Sequence, residues 1–161
     1  MDGRDAFEPE EWQAVCRLPL LTAALISAVD YSSISEEREY RAFSAFIQRA
    51  GEKRKRAGIV ADILNDTDFG EREAFLDLCL SVTGALSGDN PIEKAINDAK
   101  KTGRLVDTKL SKKAAKSYKE FVLDVALAVA RAHKESLMPF AGPVSRVEDF
   151  HIRRLAQALG V

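Results

Sequence analysis

The chain has 161 residues, 46% hydrophobic and 30% charged, with a formal net charge of −1. That length fits one domain able to bury a core without disulfides or metals. A charge this close to zero supplies no global field for nucleic acid or anionic membrane, and 12 uncharged residues at most, Leu18–Val29, fall short of a membrane span. The charge is segregated nonetheless. Residues 1–11 carry Asp2, Asp5, Glu8, Glu10 and Glu11 against Arg4, whereas residues 100–119 carry eight bases against Asp107.

Taken in chain order, the sequence predicts helices almost throughout. Few β-branched runs and no Asn-Gly or Asp-Gly hairpin turns occur, while Ala, Leu, Lys, Arg and Glu abound. Residues 1–8 read as an acidic tail and 9–161 as a single all-helical domain. Pro9 and the acids after it open a first helix, which Pro19 is expected to break or kink because proline lacks an N–H. Residues 20–29 are almost wholly apolar and predict a buried helix. Ser33 followed by Glu36 has capping-box spacing and opens a helix to about Ala50, before Gly51. Further helices are expected over about 52–65 and from Asp68 to Gly88. Asn90-Pro91-Ile92-Glu93 starts a short helix ending near Gly103, with "RLVDTKL", 104–110, as a connector.

Ser111 then caps a long helix whose first turns are lysine-rich and whose stretch "FVLDVALAVARA", 121–132, is apolar nearly all round. That pattern predicts a central helix over about 111–137 in an all-α bundle of seven or eight helices. Ser145 and Glu148 open a closing helix that ends at Gly160.

Two segments share one layout: an apolar helix, a polar loop, a β-branched residue before Ser, and an acidic helix start. They are "LISAVDYSSISEEREYRAFSAFI", 25–47, and "LAVARAHKESLMPFAGPVSRVEDFHIRRLAQAL", 127–159. With Asp30, Ile34-Ser35 and Glu37 in the first, Val144-Ser145 and Glu148 in the second, and the closing "RLAQALGV", this resembles the tellurite-resistance-protein-B-like (TerB-like) helical family. The resemblance covers about a third of the chain. It departs where Tyr31 follows Asp30 in place of glycine and where His133-Lys134 replaces Asp-Gly. It implies an all-helical fold, and it directs attention to the loop acids Asp30, Glu36 and Glu37 as the residues that would hold a divalent metal.

Other chemistry is thin. Glu148 and His151 lie three apart on a helix and could share a metal, but a di-iron bundle needs a second such pair, and Ala130 precedes His133. Glu148 as a cap and His151 as an exposed residue is the better expectation. Asp30, Asp62, Asp77 and Asp124 interrupt apolar runs, so each must be exposed, paired or functional. In the all-α nucleotide pyrophosphatases glutamates recur at a spacing that Glu36-Glu37-Arg38-Glu39 does not reproduce. Cys16 and Cys79 have no Cys/His partners at metal-ligand spacing and are expected to be free, buried thiols. Lys109, Lys112, Lys113 and Lys116 recur at helical spacing and form the expected partner-binding face.

No catalytic constellation is legible, and no cofactor is expected. The leading expectation is therefore a non-enzymatic cytoplasmic interaction or regulatory module with a protein partner. A metal-binding protein or metal-dependent phosphohydrolase using Asp30, Glu36 and Glu37 competes with it. Nucleic-acid binding through residues 100–119 ranks third.

Overall fold

A computed structural model describes residues 2–29, 35–53, 58–67, 91–137 and 146–161. Among them are a 3₁₀ turn, Arg4–Ala6, and six α-helices: α1 (Pro9–Val29), α2 (Ser35–Lys53), α3 (Ile59–Asp66), α4 (Pro91–Lys109), α5 (Lys112–Leu137) and α6 (Arg146–Leu159). No strand occurs among the described residues. The helix expected from Asp68 to Gly88, with Asp77 and Cys79, lies outside them, as do Asp30 and the loop before α6.

The architecture is built on two helices. Both α1 and α5 touch every other described helix, while α2 pairs with α3 and α4 with α6. The middle of the bundle, expected to hold α5 alone, is thus shared with α1. Residues 21–27 of α1 are buried on every side, as their apolar run requires. By contrast α5 buries Phe121, Val122, Val125, Ala126, Val129 and Ala130 but leaves Asp124 exposed, so its apolar run is amphipathic. On α2, Tyr40, Phe43, Ile47 and Ala50 form the inward stripe, and Phe46 stacks on Phe121 at 6.0 Å between ring centroids.

Several helix boundaries differ from expectation: α2 runs through Gly51 to Lys53, and the helix expected over about 52–65 begins at Ile59. Pro19 does not end α1, which runs through it. Its missing N–H leaves the Val15 carbonyl without the usual partner four residues on. The hydroxyl of Tyr118, fully buried on α5, donates to that carbonyl at 2.8 Å. Burial pushes the Tyr118 phenol well above its ordinary pKa, so it remains a donor. A tertiary hydrogen bond therefore replaces the helical one.

Gly103 likewise does not stop α4, which continues through the stretch expected as a connector to Lys109. A Cβ on Gly103 would lie 3.1 Å from the Leu159 Cα, so the missing side chain lets α4 approach the backbone of α6. Val106, and Leu110 just past the helix end, extend the buried stripe of α4 beyond it.

Helix ends follow the sequence more closely. Glu8 N–H donates to the Glu11 carboxylate at 2.9 Å, and Phe7 packs on Trp12 with ring centroids 5.7 Å apart. These are the reciprocal bond and the hydrophobic staple of a capped N-terminus. At the C-terminus of α6, Gly160 has φ +76° and its N–H reaches the Gln157 carbonyl, while Val161 N–H reaches Ala156. That pair of bonds closes the helix in a Schellman motif.

Candidate functional site

The basic stretch 100–119 spans two helices rather than one. Lys109 closes α4, Leu110 and Ser111 make the corner, and Lys112, Lys113 and Lys116 begin α5. The Ser111 hydroxyl accepts from Ala114 N–H at 3.3 Å, the cap bond its position predicts.

Acidic residues near the start of the chain reach this corner. The Asp2 carboxylate accepts from both Ser111 N–H and Ser111 Oγ–H, each at 2.8 Å. These bonds hold its pKa below the usual carboxylate range. Glu11 pairs with Lys109 at 3.1 Å, and its pKa is lowered first by the Glu8 N–H and then by Lys109. Arg4 ties the same segment to α3. Its N–H donates to Asp62 at 3.0 Å and its guanidinium lies 3.2 Å from Asp66, which also accepts from Trp12 Nε1 at 3.0 Å. The residues read as an acidic tail thus rest on α3 and on the α4–α5 corner.

The four lysines of the expected partner face are consequently unequal. Lys109 is neutralised by Glu11. Lys116 makes an exposed contact with Glu120 one turn on, at 3.7 Å, an arrangement worth only about 0.3–0.5 kcal/mol. Lys112 and Lys113 are exposed and have no ion-pair partner among the described residues. Of the remaining bases, Lys119 is buried, its Nζ lying 2.6 and 2.7 Å from the two Asp107 carboxylate oxygens. Lys100, Lys101 and Arg104 are exposed on α4.

No group of three or more His, Cys, Asp or Glu placed to hold a metal occurs among the described residues. Glu36 and Glu37 fall in the first turn of α2, but their side chains, like Asp30, lie outside the described set. Asp62 is accounted for by Arg4, and Asp124 is exposed. Cys16 is a buried free thiol whose pKa burial pushes up, the opposite of an activated nucleophile.

His151 is not the exposed residue expected. It is half-buried, edge-on to Phe150 at 5.1 Å, with Nδ1 enclosed and no hydrogen-bond partner among the described residues. Burial and then the Arg154 charge lower its pKa, which favours the neutral ring. Arg154 itself bridges α6 to α4 through Glu93 at 2.6 Å. The side chains of Glu148 and His133 lie outside the described residues.

One feature had no sequence signal. Between α1 and α4 lies a pocket of 210 Å³ whose wall includes Arg17, Leu18, Leu21, Asp98, Lys101 and Thr102. Its residues come from two helical faces 81 positions apart in sequence at Arg17 and Asp98, so only the packing of α1 on α4 joins them. Compared with family models, curated sequences and solved structures, the chain matches none. No helix of the described residues is long and apolar enough to cross a membrane.

Proposed function

We propose that this protein is a non-enzymatic interaction module of the cytoplasm, TerB-like in its seven- or eight-helix layout, that binds an acidic protein segment at the start of α5. The single observation carrying this reading is that Lys112 and Lys113 remain exposed and without an ion-pair partner among the described residues, where Lys109 and Lys119 are neutralised within the chain. Lysines at the amino end of a helix oppose its dipole by a few tenths of a kcal/mol each. A partner carboxylate would relieve that opposition. Asp2 already satisfies the corner in this way at Ser111, so an acidic chain has a precedent there.

The test is calorimetric titration of the full chain with an oligoglutamate peptide and, separately, with a single-stranded oligonucleotide of matched charge. Saturable peptide binding lost in Lys112→Glu with Lys113→Glu is expected. Stronger binding of the oligonucleotide, with affinity falling steeply with salt, would move the reading to nucleic acid.

A further inference from the structure

We propose that the pocket between α1 and α4 is a binding site for a small carboxylate with a short branched apolar chain. The site is built from two helical faces. Ala14, Leu18 and Leu21 recur at four and three residues along α1, and Lys101 and Thr102 follow Asp98 at three and four residues along α4, so each set lies on one side of its helix. Leu18 and Leu21 are buried and give the pocket an apolar floor. Arg17 and Lys101 are exposed at its edge, one from each helix, and neither has an ion-pair partner among the described residues.

Thr102 adds a polar group to the wall. It is 6% exposed, lines the pocket, and its hydroxyl has no hydrogen-bond partner among the described residues. The hydroxyl is not among the sealed, unpartnered polar atoms, so it stays open to a hydrogen bond with water, which a ligand oxygen would replace. Threonines on helices ordinarily return this bond to a carbonyl one turn back, as Thr108 does to Arg104 at 2.9 Å.

The chemistry follows from the wall. Two cations of opposite helices would clamp one carboxylate, an apolar chain would cover Leu18 and Leu21, and 210 Å³ is below the range of about 300–1,000 Å³ typical of drug-sized ligands. Asp98 adds one acid to the rim. It admits two sources of the same carboxylate chemistry: a simple branched fatty acid, or an amino acid whose ammonium faces Asp98. The site uses none of the lysines at the start of α5, so it stands apart from the acidic-partner reading.

The test is an NMR titration of the isotope-labelled full chain with isocaproate, with leucine and with uncharged isohexanol. Saturable shifts centred on residues 14–21 and 98–102 are expected with a carboxylate, with isohexanol weaker by about tenfold or more. Arg17→Gln with Lys101→Gln changes only exposed side chains; it should weaken the carboxylate by about tenfold and leave isohexanol unchanged. Leucine binding above isocaproate, with the order reversed in Asp98→Asn, supports the amino-acid source; isocaproate above leucine supports the simple acid. No saturable shift with either carboxylate, or equal affinity for isohexanol, or full affinity in the double variant, overturns the site.

Discussion

Lys112 and Lys113 in the first turn of α5 stand in solvent, whereas Lys119, two turns further along the same helix, is buried against Asp107 of α4. All three belong to one basic run, and a charge count treats them alike. Their settings are opposite because the turn of α5 that carries Lys119 lies against Asp107 and the end of α6, where a Cβ added at Gly160 would lie 3.6 Å from Nζ. The cation there lies beside a helix C-terminus and a carboxylate, both favourable. Lys112 and Lys119, seven residues apart, lie on nearly the same face of α5, so what distinguishes a lysine available to a partner is what its turn of the helix packs against, not its membership of a run.

The comparison can be broken most forcefully at the buried end. Lys119→Ala removes an ion pair and the packing of a side chain only 5% exposed, while Asp107 at 54% keeps access to water. Chemical denaturation should show a loss of about 2–3 kcal/mol, less than a fully buried pair would cost. Lys112→Ala should fall within about 0.5 kcal/mol of wild type by the same method. Equal losses at the two positions would erase the distinction.

Next in size are the two close contacts that hold the frame. Gly103→Ala places a Cβ against the α6 backbone and should cost about 1–3 kcal/mol by thermal unfolding. Tyr118→Phe strands the Val15 carbonyl and should cost about 1–2 kcal/mol. Pro19→Ala restores an N–H for that carbonyl, so the Tyr118→Phe loss should shrink in the Pro19→Ala background. A double-mutant cycle that shows additivity would rule out this pairing.

The smallest effect sharpens the account of the acidic segment. Because the pKa of Asp2 is lowered in the folded state, its contribution is fully present above the usual carboxylate range. It is lost as pH falls through the lowered value. The stability difference between wild type and Asp2→Asn should be constant near neutrality and close in strongly acidic solution; a difference that grows on acidification would contradict the Ser111 contact.

Much of the frame was legible in the chain. Ser111 caps α5, Gly160 closes α6, and residues 21–27 of the apolar run are buried, because caps and runs act within one or two turns. Pro19 and Gly103 misled for a shared reason: each offends the local helix but is compensated from a distant element, Tyr118 in one case and Leu159 in the other. The same holds for the sites. Lysine spacing treats Lys109, Lys112, Lys113 and Lys116 alike, but the partners that neutralise Lys109 and Lys119 lie elsewhere in the sequence or on the opposite helix, and local pattern is blind to them. Arg17 and Lys101 share no motif at all; their pocket exists only through the packing of α1 on α4.

Acetylation of the folded chain, read lysine by lysine by mass spectrometry with and without oligoglutamate, tests the central claim most directly. Lys112 and Lys113 should react fastest in the free protein and become protected by the peptide, while Lys119 stays slow in both. Reaction of Lys119 at the rate of Lys112, or peptide binding that leaves Lys112 and Lys113 unprotected, would contradict it.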